Sequence, residues 1–408
     1  MLTSPARVDD TGAKRLAAKL YAYAFLDEFV LLYPVYALLF ADTGLSIAEI
    51  SSLFVIWSLT GFLLEVPSGV WADVVSRRLL LAIGPLLTAI GYGLWVAVPS
   101  YWAFAAGFVL WGAKGALQSG AFEALTYEEL DRLGAADRYA RTVGRATSVG
   151  LVGVMVALAA AGPVFAAGGY LAVGAASVVA CVLTGAVAAT LPEHRGRHRP
   201  DDETETRGGY AETLRAGLSE ARRSQPVLSA LLLVPAVTAI WGALEEYDVL
   251  LIRDTGVPVA AVPLLVLLIW SGVTAGGLLA GAGARLRTPA FAATLALGAA
   301  ALAAGAASGA PAGIALVAVA FGVFQMASVV ADARLQERIT GPSRATVTSL
   351  AGLGTEVVTI AVYASYALAS TVATHRVVFA LFAVPYLLIA IVLGAAYYRS
   401  STPVRSPR

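Results

Sequence analysis

Twelve apolar runs, each long enough to cross a lipid bilayer, dominate this sequence. A spanning helix needs about 20 mostly apolar residues, and only helices and closed barrels satisfy their backbone hydrogen bonds in lipid. Charged residues make up 13% of the chain, against about 25% in soluble domains. We therefore predict an all-α integral membrane protein. The predicted spans are 17–41, 48–71, 79–98, 102–126, 145–166, 170–191, 227–250, 259–281, 289–308, 312–333, 346–369 and 377–398.

One long polar segment divides the chain. It covers residues 192–226 and begins with EHRGRHRPDDETETRGG. We predict that it is a cytoplasmic linker between two six-helix bundles, formed by residues 1–191 and 227–408. Short motifs also recur in the same order in both halves, including ADTG at 41–44 and RDTG at 253–256. Such internal repeats are typical of secondary transporters.

The distribution of basic residues predicts the orientation. Of the 28 lysines and arginines, only Arg253 and Arg376 fall in loops on one side, Lys114 lies inside a span, and all the others lie on the opposite side. Basic loops remain in the cytoplasm, so both termini are predicted to be cytoplasmic. Residues 1–16 are polar and the first apolar run contains acids, unlike a signal-peptide core, so we expect span one to be retained.

Several functional classes lack support in the sequence. The net charge of +1 gives no indication of nucleic-acid binding, and the single Cys181 excludes an internal disulfide or a cysteine metal cluster. A P-loop requires a lysine followed by Ser or Thr, but Lys14, Lys19 and Lys114 precede Arg, Leu and Gly. We expect neither an enzyme nor a bound metal or cofactor.

The loop after span two suggests a family. GVWADVVSRR (69–78) resembles the signature loop of the major facilitator superfamily, with Gly69, Asp73, Arg77 and Arg78 at the matching positions. LEVPSG (64–69) and SGAFEALTYEEL (119–130) look like its bacterial drug:proton antiporters, or efflux permeases. The resemblance implies two pseudo-symmetric six-helix bundles in a bacterial cytoplasmic membrane, and we expect a monomer.

These loop residues have an expected role as a conformational latch. Asp73 is favoured near the positive N-terminal end of a neighbouring helix, and the resemblance makes that helix span eleven. Arg77 and Arg78 are expected to pair with acids that follow span four, such as Glu129 or Asp131. Alternatively, both arginines are only topology signals.

Ionisable residues within the spans are costly and therefore usually face a cavity or a partner. The resemblance implies a cavity lined by spans one, four, seven and ten. By that resemblance, polar and aromatic residues on these spans, several of which share a helical face, are the substrate-cavity candidates: Tyr23, Lys114, Gln118, Trp241, Glu245 and Gln325.

Proton coupling needs a group whose protonation changes with the side of access. A desolvated carboxylate suits this role because burial disfavours its charged form. The histidines, His194, His198 and His375, all lie in predicted loops. The coupling candidates are therefore the mid-span acids Asp27, Glu28 and Glu356. For Asp27 the alternative is a structural ion pair with Lys114.

Three functions remain open at this point. The first is a secondary exporter that exchanges protons for a small amphipathic compound by alternating access. The second is a proton-coupled uptake symporter for a nutrient such as a sugar or metabolite. The third is a membrane sensor that transports nothing. The residues argue against the sensor, because the polar linker is too short for a signalling domain and mid-membrane charges are costly without a use. Between the two transporters, the resemblance to the drug:proton antiporters favours the exporter.

Overall fold

The computed structural model describes residues 10–194, 225–339 and 344–401, with only the backbone described for 65–74, 344–346, 396 and 398–401. Most of the predicted linker lies outside these residues. The described residues form α-helices and short 3₁₀ turns, without strands. The helices are α1 (Asp10–Glu28), α2 (Tyr36–Asp42), α3 (Ile47–Val74), α4 (Arg77–Ala97), α5 (Tyr101–Gln118), α6 (Ala121–Arg132), α7 (Tyr139–Ala189), α8 (Gln225–Glu245), α9 (Asp248–Arg253), α10 (Val262–Ala284), α11 (Thr288–Ser308), α12 (Gly313–Arg338), α13 (Arg344–Ala369), α14 (His375–Leu381) and α15 (Ala383–Ser401).

The helices agree with the predicted spans. Ten stretches of the described chain are long and apolar enough to cross a membrane. One of them, Ala136–Ala189, contains both predicted spans five and six. The helix of span four, Tyr101–Gln118, is not among the ten. Counting these two adjustments gives the twelve helices of the predicted fold class.

Spans one and seven are not continuous helices. In span one, α1 ends at Glu28, and a turn and the 3₁₀ helix Tyr33–Val35 precede α2. In span seven, α8 ends at Glu245 and α9 begins at Asp248. The sequence analysis predicted neither break. Both breaks leave helix-end carbonyl groups inside a predicted span, where water is scarce.

Glycine allows two further changes of direction. Gly120, between α5 and α6, has a φ of 71°. The helix of span four therefore ends at Gln118, earlier than the predicted residue 126, and α6 begins at Ala121. The long helix α7 is interrupted at Gly168 and Gly169, where Gly169 has a φ of 59°. Positive φ is readily adopted by glycine alone. The interruption separates span five from span six without a polar loop.

Close contacts between helices depend on small residues, as is typical of membrane bundles. A Cβ atom added to Gly153 of α7 would lie 2.5 Å from the carbonyl oxygen of Phe25. A Cβ added to Gly276 of α10 would lie 1.9 Å from the carbonyl oxygen of Gly322. Side chains larger than hydrogen at these positions would therefore push the helices apart.

The chain divides into two compact units. The first comprises the residues up to Arg199 together with Val259–Leu264, and the second comprises the remainder. The short segment joins the first unit because the carbonyl oxygen of Ala260 packs against Gly162 of α7.

Candidate functional site

In the first unit, four predicted site residues meet in one polar cluster. The Nζ atom of Lys114 lies 2.8 Å from Oδ1 of Asp27, with side-chain exposures of 12% and 16%. The Nε2 atom of Gln118 donates a hydrogen bond to the Tyr23 hydroxyl and lies 3.4 Å from Oδ1 of Asp27. Two residues of α1 thus contact two residues of α5.

Helical spacing explains this arrangement. Tyr23 and Asp27 are four residues apart on α1, and Lys114 and Gln118 are four apart on α5, so each pair shares one face. Gly84 of α4 leaves space beside them, since a Cβ there would lie 3.3 Å from Cγ of Lys114. The Asp27–Lys114 ion pair is the alternative that the sequence left open beside a proton role.

The last residue of α1 points elsewhere. Glu28 is exposed, and its Cγ would lie 3.3 Å from a Cβ on Gly150 of α7. Adjacent helical residues point about 100° apart, so Glu28 faces α7 while Asp27 faces α5. The negative end of the α1 dipole lies at these two carboxyl groups, where positive charge is favoured. Lys114 supplies that charge at Asp27.

Aromatic rings adjoin the polar cluster. Trp111 of α5 stacks on Trp57 with ring centroids 4.9 Å apart, and Tyr33 meets it edge-on at 5.9 Å. Each of these three rings is only partly buried. Below them, Tyr36 and Phe108 pack around the same indole and belong to the buried core. Because Lys114 lies one turn from Trp111, polar and aromatic surfaces lie side by side.

Arg77 of the signature loop pairs with a different acid from the two named as examples in the sequence-based prediction. Arg77 forms an ion pair with Glu128 of α6, whereas Glu129 and Asp131 were the acids named from sequence. Arg78 is exposed. Gly69 and Asp73 lie in α3, but their side chains are outside the described part of the structure, so the proposed contact of Asp73 with span eleven stays a prediction.

Glu129 instead holds the chain that leaves span six. Its side chain is only 3% exposed and accepts hydrogen bonds from the backbone N–H of His194, at 2.6 Å, and from Arg132. Glu193, which precedes His194, accepts hydrogen bonds from the Ser76 hydroxyl and from the backbone N–H of Arg77, the latter at 2.8 Å. The start of the predicted linker is therefore tied to the signature loop within the first unit.

In the second unit, Trp241 occupies the position that Tyr23 occupies in the first. Its Nε1 donates to the Ser328 hydroxyl on α12 at 3.1 Å, and its ring packs on Phe321 with centroids 5.9 Å apart. Gln325, on the same helix, is partly buried and has its Nε2 near Gly277 of α10.

Acidic side chains accumulate at the break between α8 and α9. Glu246 is 9% exposed and Asp248 is 2% exposed. Oε1 of Glu245 and Oδ2 of Asp248 have no hydrogen-bond partner among the described residues. Glu356 of α13 is partly buried, and it lies with Glu245 and Glu246 within electrostatic range of the Tyr363 hydroxyl.

The two helix breaks share a sequence motif that the sequence analysis missed. LDEF (26–29) ends α1 and LEEY (244–247) ends α8. This alignment matches Asp27 with Glu245 and Tyr23 with Trp241. Gln118 and Gln325 match at a shift of 207 residues, which places Phe321 at the position equivalent to Lys114. The second unit therefore repeats the acid but not its lysine partner.

A group of tyrosines extends from these acids. The buried ring of Tyr247, between Glu246 and Asp248, stacks on Tyr366 with centroids 3.7 Å apart. The Tyr366 hydroxyl lies 2.7 Å from Nδ1 of His375. The sequence placed His375 in a loop, but it is the partly buried first residue of α14. Contacts between residues this far apart in the chain leave no local sequence signal.

Comparison with known proteins gives a consistent fold. The family described as Major Facilitator Superfamily matches residues 20–331. A crystal structure of a mutant of the nucleoside transporter NupG has a TM-score of 0.75 at 13% identity and covers 94% of this chain and 100% of its own.

Two further transporter structures show the same similarity of fold. A bacterial homologue of the human lysosomal transporter Spinster has a TM-score of 0.69 at 16% identity, covering 96% of this chain and 98% of its own. The POT family transporter PepTSo has a TM-score of 0.67 at 14% identity, covering 95% and 98%. No curated protein sequence matches the chain.

Proposed function

Because the chain belongs to the major facilitator superfamily, we propose that it exports a small amphipathic molecule in exchange for protons, by alternating access across a bacterial cytoplasmic membrane. Family membership establishes a multi-pass membrane protein that is a secondary transporter rather than an enzyme. The direction, the substrate, the coupling ion and a monomeric state are the proposal.

The ion pair between Asp27 and Lys114 is the observation that carries this proposal. Asp27 forms an ion pair with Lys114, and its Oδ1 atom lies 3.4 Å from Nε2 of Gln118. Both contacts depend on the negative charge of Asp27, so they change when Asp27 binds a proton. Protonation would remove the negative charge and release Lys114 from its partner. Proton binding at Asp27 would therefore favour a different arrangement of α1 and α5, and such a difference between states is what coupling requires.

Two other acids share the proton role in this proposal. Glu28 follows Asp27 at the end of α1, and Glu356 lies at mid-depth of span eleven. In many transporters, the C-terminal ends of broken helices and the unwound backbone beside them coordinate Na⁺ or H⁺. The break at Glu245 has this form, and we include Glu245 with Gln325 and Trp241 among the substrate-cavity candidates.

The substrate class follows from the surroundings of Lys114. Trp111 lies one turn from Lys114 on α5, and its ring contacts those of Trp57 and Tyr33, all three of which are partly exposed. Aromatic faces bind planar apolar groups and cations, and the polar cluster offers both charges and an amide. A small amphipathic molecule would use both surfaces.

We also propose that Gly69, Asp73, Arg77 and Arg78 form a conformational latch on the cytoplasmic side. An ion pair between Arg77 and Glu128 supports it, because this contact joins the loop after span two to the helix after span four. Glu193 also binds the backbone of Arg77.

Transport by the purified protein in proteoliposomes tests the function. The amphipathic probe is tetraphenylphosphonium. When a pH gradient drives protons across the membrane in one direction, we expect the probe to be transported in the other direction. A pH-sensitive dye reports the proton movement. Uridine and glucose serve as comparison substrates. Movement of uridine or glucose together with protons would instead establish uptake, and the absence of transport of all compounds under gradients of either sign would contradict a coupled transporter.

A further inference from the structure

The second unit contains buried ionisable groups that have no part in the proposed proton binding at Asp27. They lie between the start of α14 and the break between α8 and α9. Tyr366 is completely buried, its hydroxyl is 2.7 Å from Nδ1 of His375, and its ring stacks on the completely buried Tyr247. Tyr247 is flanked in sequence by Glu246 and Asp248.

We propose that His375, Tyr366 and Tyr247 form a proton access route from the outer surface to the carboxyl groups of Glu246 and Asp248. The proposal rests on the proton coupling proposed above and on the predicted topology, which places the loop before α14 outside. It adds a specific path, in a unit that Asp27 does not belong to.

The first step lies at His375. The side chain is partly buried at the first residue of α14, so one ring nitrogen can meet water while Nδ1 faces Tyr366. Imidazole exchanges protons with water between about pH 5 and 8. The charged groups around it are Arg253 and Asp254 at the end of α9 and its neighbour Arg376, whose guanidinium donates to the carbonyl oxygen of Asp254.

The second step lies at Tyr366. A tyrosine hydroxyl both donates and accepts a hydrogen bond, so it can take a proton on one side and release its own on the other. The 2.7 Å separation from Nδ1 is within the range for proton transfer. In the proposed route, a proton bound at Nδ1 of His375 passes to the hydroxyl oxygen of Tyr366 as that oxygen gives up its own proton to the hydroxyl of the stacked Tyr247. Tyr247 in turn releases its own proton to the carboxylate of Glu246 or Asp248, so no net charge stays on either tyrosine.

The acceptors lie beyond Tyr247. Asp248 is 2% exposed and its Oδ2 has no hydrogen-bond partner among the described residues. Burial disfavours the charged form of a carboxyl group, and this one has an oxygen that no described donor stabilises, so it is suited to bind a proton. Tyr363, which lies edge-on to Tyr247 at 6.1 Å, is within electrostatic range of Glu246 and Glu356.

The contact has a competing explanation that uses the same atoms. The hydrogen bond between Tyr366 and His375 would stabilise the first turn of α14, and the ring stack of Tyr247 on Tyr366 would fix the start of α9 against α13. A merely structural role predicts that substitutions lower the yield and slow every activity together. A proton route predicts a change in protonation rate while folding and substrate exchange persist.

The test follows the protonation of buried carboxyl groups in right-side-out proteoliposomes by rapid-mixing infrared spectroscopy after an external acid pulse. The relevant signal is the part of the protonated-carboxyl band that Asp248→Asn removes. Tyr366→Phe keeps the ring stack but loses the hydroxyl, and His375→Gln loses the titrating ring. We expect each to slow the signal at least tenfold, and the double variant to be no slower than the slower single variant.

Tyr386→Phe is the matched control. Tyr386 is a completely buried tyrosine of the same unit whose hydroxyl donates to the carbonyl oxygen of Val237 and accepts from the backbone N–H of Trp241, both on α8. In Tyr386→Phe, the carboxyl band should appear at the same rate as in the wild type. Unchanged rates in Tyr366→Phe and His375→Gln, or equal slowing in Tyr386→Phe, would overturn the route. A wild type that protonates its carboxyl groups but drives no transport would contradict only the proposed function.

Discussion

Phe321 occupies in the second unit the position that Lys114 occupies in the first. Lys114 pairs with Asp27 at 2.8 Å, whereas Phe321 packs against Trp241, with centroids 5.9 Å apart. Glu245, the counterpart of Asp27, has an oxygen without a hydrogen-bond partner among the described residues. The internal repeat thus retains an acid at each helix break while changing how its charge is balanced.

The first prediction separates the two roles of Asp27. If Asp27 carries the proton, Asp27→Asn should still exchange substrate across the membrane but should lose transport driven by a pH gradient. Glu28→Gln should have a milder effect because Glu28 faces α7. The measurements are yield, counterflow exchange and gradient-driven transport in proteoliposomes.

A structural ion pair gives a different result in the same experiment. Asp27→Asn would then leave Lys114 buried without its partner, at a cost of about 3–5 kcal/mol, and the added Lys114→Met would restore the yield. Normal gradient-driven transport by Asp27→Asn would transfer the proton role to Glu28 or Glu356.

The second prediction concerns Phe321. Phe321→Lys should fold, because the new ammonium group can reach Glu245, whereas Phe321→Lys with Glu245→Gln should lose about 3–5 kcal/mol of stability through an unpaired buried cation. Thermal unfolding of the detergent-solubilised protein measures both. Phe324→Lys is the control: Phe324 stacks on Tyr386 at 3.7 Å, so Glu245→Gln should not change its effect. Equal stability of Phe321→Lys with and without Glu245 would contradict the predicted equivalence.

The third prediction concerns the cytoplasmic latch. Asp73→Asn should leave insertion unchanged but favour conformers open to the cytoplasm, because it removes the anion proposed to lie at a helix end. A charge there contributes about 0.3–1 kcal/mol, or up to about 2 when partly buried, so the population should shift several-fold. Cysteine accessibility of the cytoplasmic cavity measures the shift.

The Arg77–Glu128 contact provides a comparison for that measurement. Glu128 is 50% exposed, and exposed ion pairs contribute about 0.2–1 kcal/mol. Glu128→Gln should therefore act in the same direction more weakly, and Arg77→Glu with Glu128→Arg should restore the distribution. Accessibility that does not change in Asp73→Asn would rule out the latch.

The fourth prediction concerns topology. In a Cys181→Ser background, a cysteine at position 205 or after Arg408 should react only with reagents that reach the cytoplasm, because nearly all basic residues lie on that side. Thr371→Cys is the opposite control, since Thr371 is exposed between spans eleven and twelve and should react from outside. Labelling of position 205 in intact cells by an impermeant reagent would reverse the orientation.

The positions of the spans were predictable because each needs only a run of apolar residues. The contact between Asp27 and Lys114 was also foreseen from the sequence as one of two alternatives, because both are charged residues within predicted spans. The sequence left open whether Asp27 carries a proton or only forms this ion pair. The helix breaks were not predicted, since Asp27 and Glu28 were placed within one continuous span. LDEF and LEEY become informative only once both helices are known to end there.

Other contacts depend on how distant segments pack. Arg77 pairs with Glu128 rather than Glu129, because Glu129 turns inward to bind the backbone of His194. Neighbouring acids on a helix face different directions, and which of them meets a given arginine depends on the crossing of α4 and α6. The stack of Tyr247 on Tyr366 likewise joins segments that no short motif connects.

The interruption of α7 at Gly168 and Gly169 also limits how this gene can change length. Glycines before the turn pack against α1, as Gly153 does at Phe25, and glycines after it pack against α4, as Gly174 does at Val96. One inserted or deleted residue near the turn would rotate span six by about 100° relative to span five and replace these glycines with larger side chains at one contact. Insertions and deletions in descendants of this gene should therefore accumulate in the polar segment after span six and be purged from the five–six hairpin.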